Sequence, residues 1–115
     1  MELITRAQFA QLLLNGEAQV ADPDNFDPKP VIKLFNPVGA GTWLLASVDP
    51  QYPDIAYGLC DLGKQSPELG TVSIEELTHF KGVLQLGIER DIHWLADKTL
   101  NEYAEQARLA RNIVA

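Results

Sequence analysis

The feature that most constrains the fold is a series of short apolar segments separated by turn-forming residues, with no helical pattern between them. These segments are residues 30–35, 42–48, 55–62 and 71–74. The connections between them are rich in Pro, Gly, Asn and Asp, which favour turns. Because parallel strands need long crossover connections, such short links indicate antiparallel pairing. The sequence therefore predicts an α+β protein built on an antiparallel β-meander of four to five strands.

Three helices are predicted around this meander, each marked by Ser or Thr followed three residues later by Gln or Glu. The pairs are Thr5 with Gln8, Ser73 with Glu76, and Thr99 with Glu102. In such a capping box, two side chains satisfy backbone N–H groups at the start of a helix. We expect an N-terminal helix of about ten residues that ends at Asn15-Gly16, a short central helix that ends near Gly82, and a C-terminal helix.

The segment 84–95 is the least regular part of the pattern. Ile88, Ile92 and Trp94 alternate with polar residues, which favours a fifth strand over a helix. Glu89, Asp91 and His93 would then share the opposite face of that strand.

Length and composition predict one domain over residues 1–115. The chain is 46% apolar, enough for a single core without disulfides. Cys60 is the sole cysteine, so a disulfide within the chain and a cysteine-based zinc site are excluded. The first residues lack the pattern of a secretory signal, and no apolar run approaches the length of a membrane span. We expect a cytoplasmic protein with no membrane partner.

The charge is strongly unbalanced, with 16 acidic residues against nine basic ones and a formal net charge of −7. Such a balance disfavours direct nucleic-acid binding, because phosphates repel an acidic surface. Residues 17–27 form a predicted acidic connecting loop without any Lys or Arg. The loop is either a solvated connector or part of a surface that binds a basic protein partner. The predicted partner-binding residues are Glu17, Asp22, Asp24, Asp27, Asp49, Tyr52, Asp54 and Glu68.

An alternative is a small hydrolase or ligand-binding domain that uses Asp61, Glu89, Asp91 and His93 around a pocket. The simpler interpretation of the alternating charges, and the one we favour, is a solvated face of an edge strand that resists aggregation. Cys60, which lies between Leu59 and Leu62, is interpreted as a small buried apolar residue rather than a nucleophile. The spacing of Glu89, Asp91 and His93 is also compatible with a hard-metal site, but it is not specific, and we expect no metal and no cofactor. A third possibility is self-association through the edge of the meander, so the oligomeric state stays open.

Several segments together resemble a known family of short bacterial proteins, domain-of-unknown-function family 2958. The most specific of them are residues 58–63, Gly-Leu-Cys-Asp-Leu-Gly, and residues 89–91, Glu-Arg-Asp. The others are residues 2–5, 43–45, 49–50, 54–57, 67–70 and 98–100. The resemblance implies a gene carried on mobile genetic elements, near genes that handle single-stranded DNA or defeat host restriction. It implies no catalytic residues. It favours a non-enzymatic inhibitor of a host defence nuclease, of anti-CRISPR or anti-restriction type, that occupies the nucleic-acid-binding surface of its target.

Overall fold

The computed structural model describes residues 2–115. Helix α1 (Arg6–Ala21) begins at the predicted capping box, where the N–H of Gln8 donates to Thr5 Oγ1 over 3.1 Å and the N–H of Thr5 donates to Gln8 Oε1 over 3.0 Å. The helix then continues through Asn15-Gly16, so its predicted end is wrong.

Gly16 is a contact point with the sheet rather than a helix terminator. A Cβ atom at this buried position would lie 1.8 Å from the carbonyl oxygen of Val48. Only glycine permits so close an approach of helix and strand. The neighbouring Asn15 donates from Nδ2 to the carbonyl of Ala46 over 2.8 Å. These contacts stabilise the helix beyond Gly16, so Glu17 lies on α1 and not in the predicted acidic loop. The connection to β1 begins only at Asp22 and includes a short 3-10 turn (Pro23–Asn25).

The structure contains five strands: β1 (Ile32–Phe35), β2 (Thr42–Val48), β3 (Ile55–Asp61), β4 (Glu68–Ser73) and β5 (Glu89–Arg90). They form one antiparallel sheet in the order β4-β3-β2-β1-β5, which confirms the predicted α+β class and meander. The predicted central and C-terminal helices are α2 (Ile74–His79) and α3 (Leu100–Ala110). Helix α2 stops before Gly82, with Phe80 as its C-cap.

The fifth strand is much shorter than the alternating pattern suggests. Strand β5 pairs only with Leu34 and Phe35 of β1, and the chain then turns, with the N–H of Trp94 donating to the carbonyl of Asp91 over 3.3 Å. Ile88 packs on one face of the sheet, Trp94 packs on the other, and Ile92 is 61% exposed. These three residues therefore do not share one face of a strand. The pairing ends where the chain turns at residues 91–94, just after the N–H of Asp91 donates to the carbonyl of Lys33 over 3.0 Å.

The sheet is covered on both faces. Successive strand residues point to opposite faces, and along β2 the side chain of Leu45 packs with Leu12 of α1, whereas that of Leu44 packs with Leu100 of α3. All four side chains are at most 2% exposed. Helix α1 and helix α3 thus lie on opposite faces, and β2 is the centre of a three-layer core.

Two side chains of the sheet hold the ends of the described chain. Arg90 donates from Nη1 to the carbonyls of Glu2 and Leu3, over 2.8 and 3.1 Å. Asp61 accepts from the backbone N–H of Ile113. Within residues 2–115, no helix combines the length and the apolar character needed to cross a membrane.

Candidate functional site

Acidic side chains from four elements gather at the end of the sheet where β2 turns into β3. We call this region the acidic end; it comprises Glu17, Asp22, Asp24, Asp49, Asp54, Glu75 and Glu76. These residues lie on the last turns of α1, in and beside the 3-10 turn, in the β2–β3 turn and in the first turn of α2. All seven are exposed.

Direct contacts hold the four elements together. Gly16 of α1 packs against Val48, and Gln19 accepts a hydrogen bond at Oε1 from the hydroxyl of Ser47 over 2.8 Å. A cavity of about 300 Å³ lies between them, with walls that include Val20, Pro23 and Asp49. The acidic end is therefore one connected surface.

The two carboxylates of the β2–β3 turn also shape the backbone around them. Asp49 accepts at Oδ1 from the N–H of Gln51 over 2.8 Å, which tightens the turn. Asp54 accepts from the hydroxyl of Ser73 over 2.6 Å and from the N–H of Glu75 over 2.8 Å. These two hydrogen bonds, that from Ser73 foremost, lower the pKa of Asp54. Asp54 thus joins the turn to the start of α2 while keeping its negative charge.

The carboxylates near the end of α1 accept fewer hydrogen bonds than those of the β2–β3 turn. Asp22 accepts from Nδ2 of Asn25 over 3.0 Å. Glu17 and Asp24 accept no side-chain hydrogen bond from the described part of the chain. No Lys or Arg occurs in residues 7–28, 34–63 or 65–80, so none of the four elements adds a basic residue beside these acids. Within residues 2–115, none of the seven carboxylates takes part in an ion pair, so the acidic end carries a concentrated negative charge.

Two predicted partner-binding residues lie outside the acidic end. Asp27 accepts at Oδ1 from the N–H of Asn101 over 2.8 Å and so caps the start of α3. Glu68 pairs with Cys60 at the far end of β4, whereas Ser73 pairs with Ile55 beside the acidic end. Five residues of extended strand separate the two positions by about 17 Å. Five of the eight predicted residues therefore belong to the acidic end, and a sixth, Tyr52, lies in the β2–β3 turn with its side chain 61% exposed.

Glu75 and Glu76 join the acidic end but were not among the predicted partner-binding residues. The usable signal in the sequence is the N-cap Ser73 followed, after Ile74, by two acidic residues in the first turn of α2. Their position beside Asp54 depends on pairing between β3 and β4, which the local sequence does not specify.

The residues of the predicted catalytic alternative do not converge. Asp61 and Asp91 line a cavity of about 470 Å³ together with Lys33, but Glu89 and His93 are exposed and do not line it. The carboxylate of Asp61 is occupied, since it accepts from the N–H groups of Gly63 and Ile113 at 2.9 Å each. Over residues 2–115, no three His, Cys, Asp or Glu side chains are grouped so that they could hold a metal ion.

Cys60 is half-buried against the α1 face of the sheet. Burial, helped by the negative charge of Glu68, raises the pKa of its thiol to about 11. A reactive cysteine needs the opposite shift. The environment of Cys60 therefore agrees with its interpretation as a small apolar residue.

Comparison with known proteins identifies the family. Residues 3–114 match the profile of the family described as "Protein of unknown function (DUF2958)". The chain belongs to this family. No curated protein and no solved structure matches the chain.

The segments that carry the DUF2958 resemblance have visible structural roles in this chain. A Cβ on Gly58 would lie 2.0 Å from the carbonyl oxygen of Leu44, so glycine permits the close pairing of β2 and β3. Gly63 has φ of +79°, which glycine adopts without strain. Asp61 and Arg90 hold the two terminal segments. These residues stabilise the fold, and the acidic end is the candidate functional site.

Proposed function

We propose that this chain is a non-enzymatic interaction protein whose acidic end binds a basic surface of a nucleic-acid-processing protein. The observation that carries the proposal is the gathering of seven exposed carboxylates from four elements, none of which contributes a Lys or Arg beside them. Such a concentrated field steers a partner of opposite charge and penalises partners of like charge.

Exposed apolar groups within the acidic end support binding rather than simple solvation. Tyr52 is 61% exposed and Val20 is 72% exposed, and both lie among the carboxylates. Protein interfaces combine aromatic anchors with a charged rim, and the aromatic residues contribute most of the affinity. Tyr52 is the proposed anchor, and the carboxylates give orientation and fast association.

The proposed partner is a nuclease that defends the host cell. The acidic end occupies the DNA- or RNA-binding groove of a host defence nuclease, of CRISPR or restriction type, where its carboxylates replace phosphates. The support is the match between an acidic surface and the basic residues that nucleic-acid-binding grooves use, together with the resemblance to mobile-element proteins. Inhibition is then competitive with nucleic acid and requires no chemistry, membrane or cofactor.

The test compares charge reversals at two places. The double variant Asp22→Lys/Asp24→Lys changes the acidic end, and Glu89→Lys/Glu105→Lys makes the same change in net charge at exposed positions outside it. Purified restriction nucleases and CRISPR effectors are assayed for displacement of labelled DNA by each variant. We expect the acidic-end variant to inhibit at least about tenfold less well, with a weaker salt dependence, and the control to stay close to the unmodified protein. Equal loss in both variants would leave only a general charge effect, and the proposal would be wrong.

A further inference from the structure

We propose that the exposed edge of β4 accepts an extended basic segment of the partner as an additional strand of the sheet. The inference rests on the proposed function, since it specifies how the basic partner is held next to the acidic end. β4 is an edge strand of the five-stranded sheet, paired only with β3. Strand addition of this kind supplies affinity from the main chain and specificity from neighbouring side-chain pockets.

The orientation of the β4 backbone follows from two hydrogen bonds. The carbonyl of Ile55 accepts from the N–H of Asp49, so the backbone of Ile55 faces β2, and the N–H of Ile74 donates to the carbonyl of Asp54. Hydrogen-bonded and non-hydrogen-bonded pairs alternate in an antiparallel ladder. In the register of β3 and β4, Gly70 and Val72 therefore face β3, and the N–H and C=O groups of Leu69 and Thr71 point away from the sheet. No loop or side chain of residues 2–115 hydrogen-bonds to these outward groups.

Between Leu69 and Ser73, this edge lacks the usual devices that block strand addition. Edge strands are commonly protected by Lys, Pro, bulges or a covering element. Residues 69–73 of β4, Leu-Gly-Thr-Val-Ser, contain no charge and no proline. Leu69 is 37% exposed, and a Cβ on Gly70 would meet no atom within 4 Å. The edge is therefore open to another strand.

A cavity beside the edge indicates which side chains the added strand carries. Thr71 of β4 lines the cavity of about 300 Å³ that also includes Val20, Pro50 and Asp49. A long basic side chain can lay its aliphatic stem on such apolar walls while its charge approaches a carboxylate. Glu68 at the start of β4 and the acidic end beyond Ser73 place negative charge at both ends of the same edge. An extended segment with Arg or Lys at its ends matches this arrangement.

A second copy of the chain fits the charges along the β4 edge less well than a basic segment does. Symmetric antiparallel pairing about Gly70 would place Glu68 of one copy opposite Val72 of the other, close to the other copy's acidic end. Each copy carries a net charge of −7, and Glu68 of each copy would be repelled by the acidic end of the other. The charge of the edge therefore selects a basic segment over self-association.

The test uses synthetic peptides in which Thr and Val alternate between terminal Arg residues. Hydrogen exchange followed by NMR should show rapid exchange at the amides of Leu69 and Thr71 in the free protein and slower exchange when the peptide is added. A peptide N-methylated at alternate amides keeps its side chains but cannot form the ladder, and one with Glu in place of Arg cannot match the charge. Both should fail to protect these amides. Equal protection by the N-methylated peptide would overturn the proposal.

A protein variant tests the same edge. Thr71→Pro removes an outward N–H without removing a bond to β3, and edge strands tolerate proline at such positions. We expect peptide binding at least about fivefold weaker, the equivalent of one net hydrogen bond, with an unchanged circular dichroism spectrum. The control Gly70→Ala, whose N–H faces β3, should bind normally. A dimer in sedimentation equilibrium with both amides already protected would overturn the proposal in favour of self-association.

The experiments distinguish failure of the edge proposal from failure of the proposed function. If acidic-end reversals abolish nuclease inhibition and Thr71→Pro leaves it unchanged, the edge proposal is wrong and the proposed function stands. If the basic peptide protects the edge but acidic-end reversals do not change nuclease inhibition, the proposed function is wrong, while the edge still accepts a basic strand.

Discussion

The carboxylate of Asp61 in β3 accepts a hydrogen bond from the backbone N–H of Ile113, 2.9 Å away and 52 positions later in the chain. Its other oxygen accepts from the N–H of Gly63 over 2.9 Å. The residue is 8% exposed, so this buried side chain links the end of β3, the turn after it and the segment after α3.

Replacing Asp61 should therefore destabilise the fold. Asp61→Ala leaves two N–H groups without their acceptor, and we expect a loss of about 2 kcal/mol in the free energy of unfolding, measured by urea denaturation. Asp61→Asn keeps one acceptor oxygen and should lose less. Asp24→Ala, at an exposed carboxylate, should change stability by no more than about 0.5 kcal/mol. A loss at Asp61 no larger than at Asp24 would contradict this role.

Gly16→Ala should destabilise the protein even though alanine favours helix by about 1 kcal/mol over glycine. The added Cβ would lie 1.8 Å from the Val48 carbonyl oxygen, so α1 or β2 must move. We expect a net loss of about 2 kcal/mol by chemical denaturation, as for other overpacked contacts. Gly70→Ala, with no atom near its Cβ, is the matched control and should be nearly neutral. A stabilising Gly16→Ala would show that the contact is loose.

The stability of the protein on the acid side should depend on Asp54. Hydrogen bonds from Ser73 and from the N–H of Glu75 lower the pKa of Asp54 below its ordinary 3.8. Its contribution to stability is therefore present above pH 3.8 and is lost as the pH falls through the lower folded-state pKa. Denaturation of the unmodified protein and Asp54→Asn across this window should give curves that converge at low pH. Asp24→Asn supplies the control for loss of one exposed charge; an identical pH dependence in both variants would exclude the hydrogen-bonding effect.

Cys60 should react slowly with thiol reagents in the folded protein. With a pKa of about 11, only about one thiol in a thousand is ionised at pH 8, and the thiolate is the reactive form. We expect alkylation at least about a hundredfold slower than in the urea-unfolded chain. Glu68→Gln removes the nearby negative charge and should give a modest acceleration. Equal rates in folded and unfolded chains would contradict the buried position of the thiol.

Local signals in the sequence were sufficient for much of the fold. The capping boxes at Thr5 and Thr99 start α1 and α3 where predicted, because the donors and acceptors lie within one helical turn. The end of α1 was not predictable in this way. Asn15-Gly16 is a common helix stop, but here packing against Val48 outweighs local preference. Strand β5 is shorter than predicted because a turn at residues 91–94 ends its pairing with β1, and the alternation of side chains does not reveal that turn.

The sequence predicts that the candidate site is acidic, but it predicts only in part which acidic residues lie together on the surface. Acidic residues between 17 and 54 are evident in the sequence, and most of them meet at the acidic end. Asp27 and Glu68 separate from them because α3 docks on the residue 27–28 segment and because β4 runs away from the acidic end. Those arrangements depend on contacts between residues far apart in sequence.

The burial of Leu44 and Leu59 under Leu100 and Tyr103 has a consequence for synthesis of the protein. The ribosome delivers β2 and β3 long before residues 100–113 have left the exit tunnel. Until then one side of the nascent sheet presents leucine to the cell, and Arg90 is not yet available to fasten residues 2–3. Folding is therefore completed late, and a half-covered intermediate is exposed to chaperones and proteases until α3 has emerged.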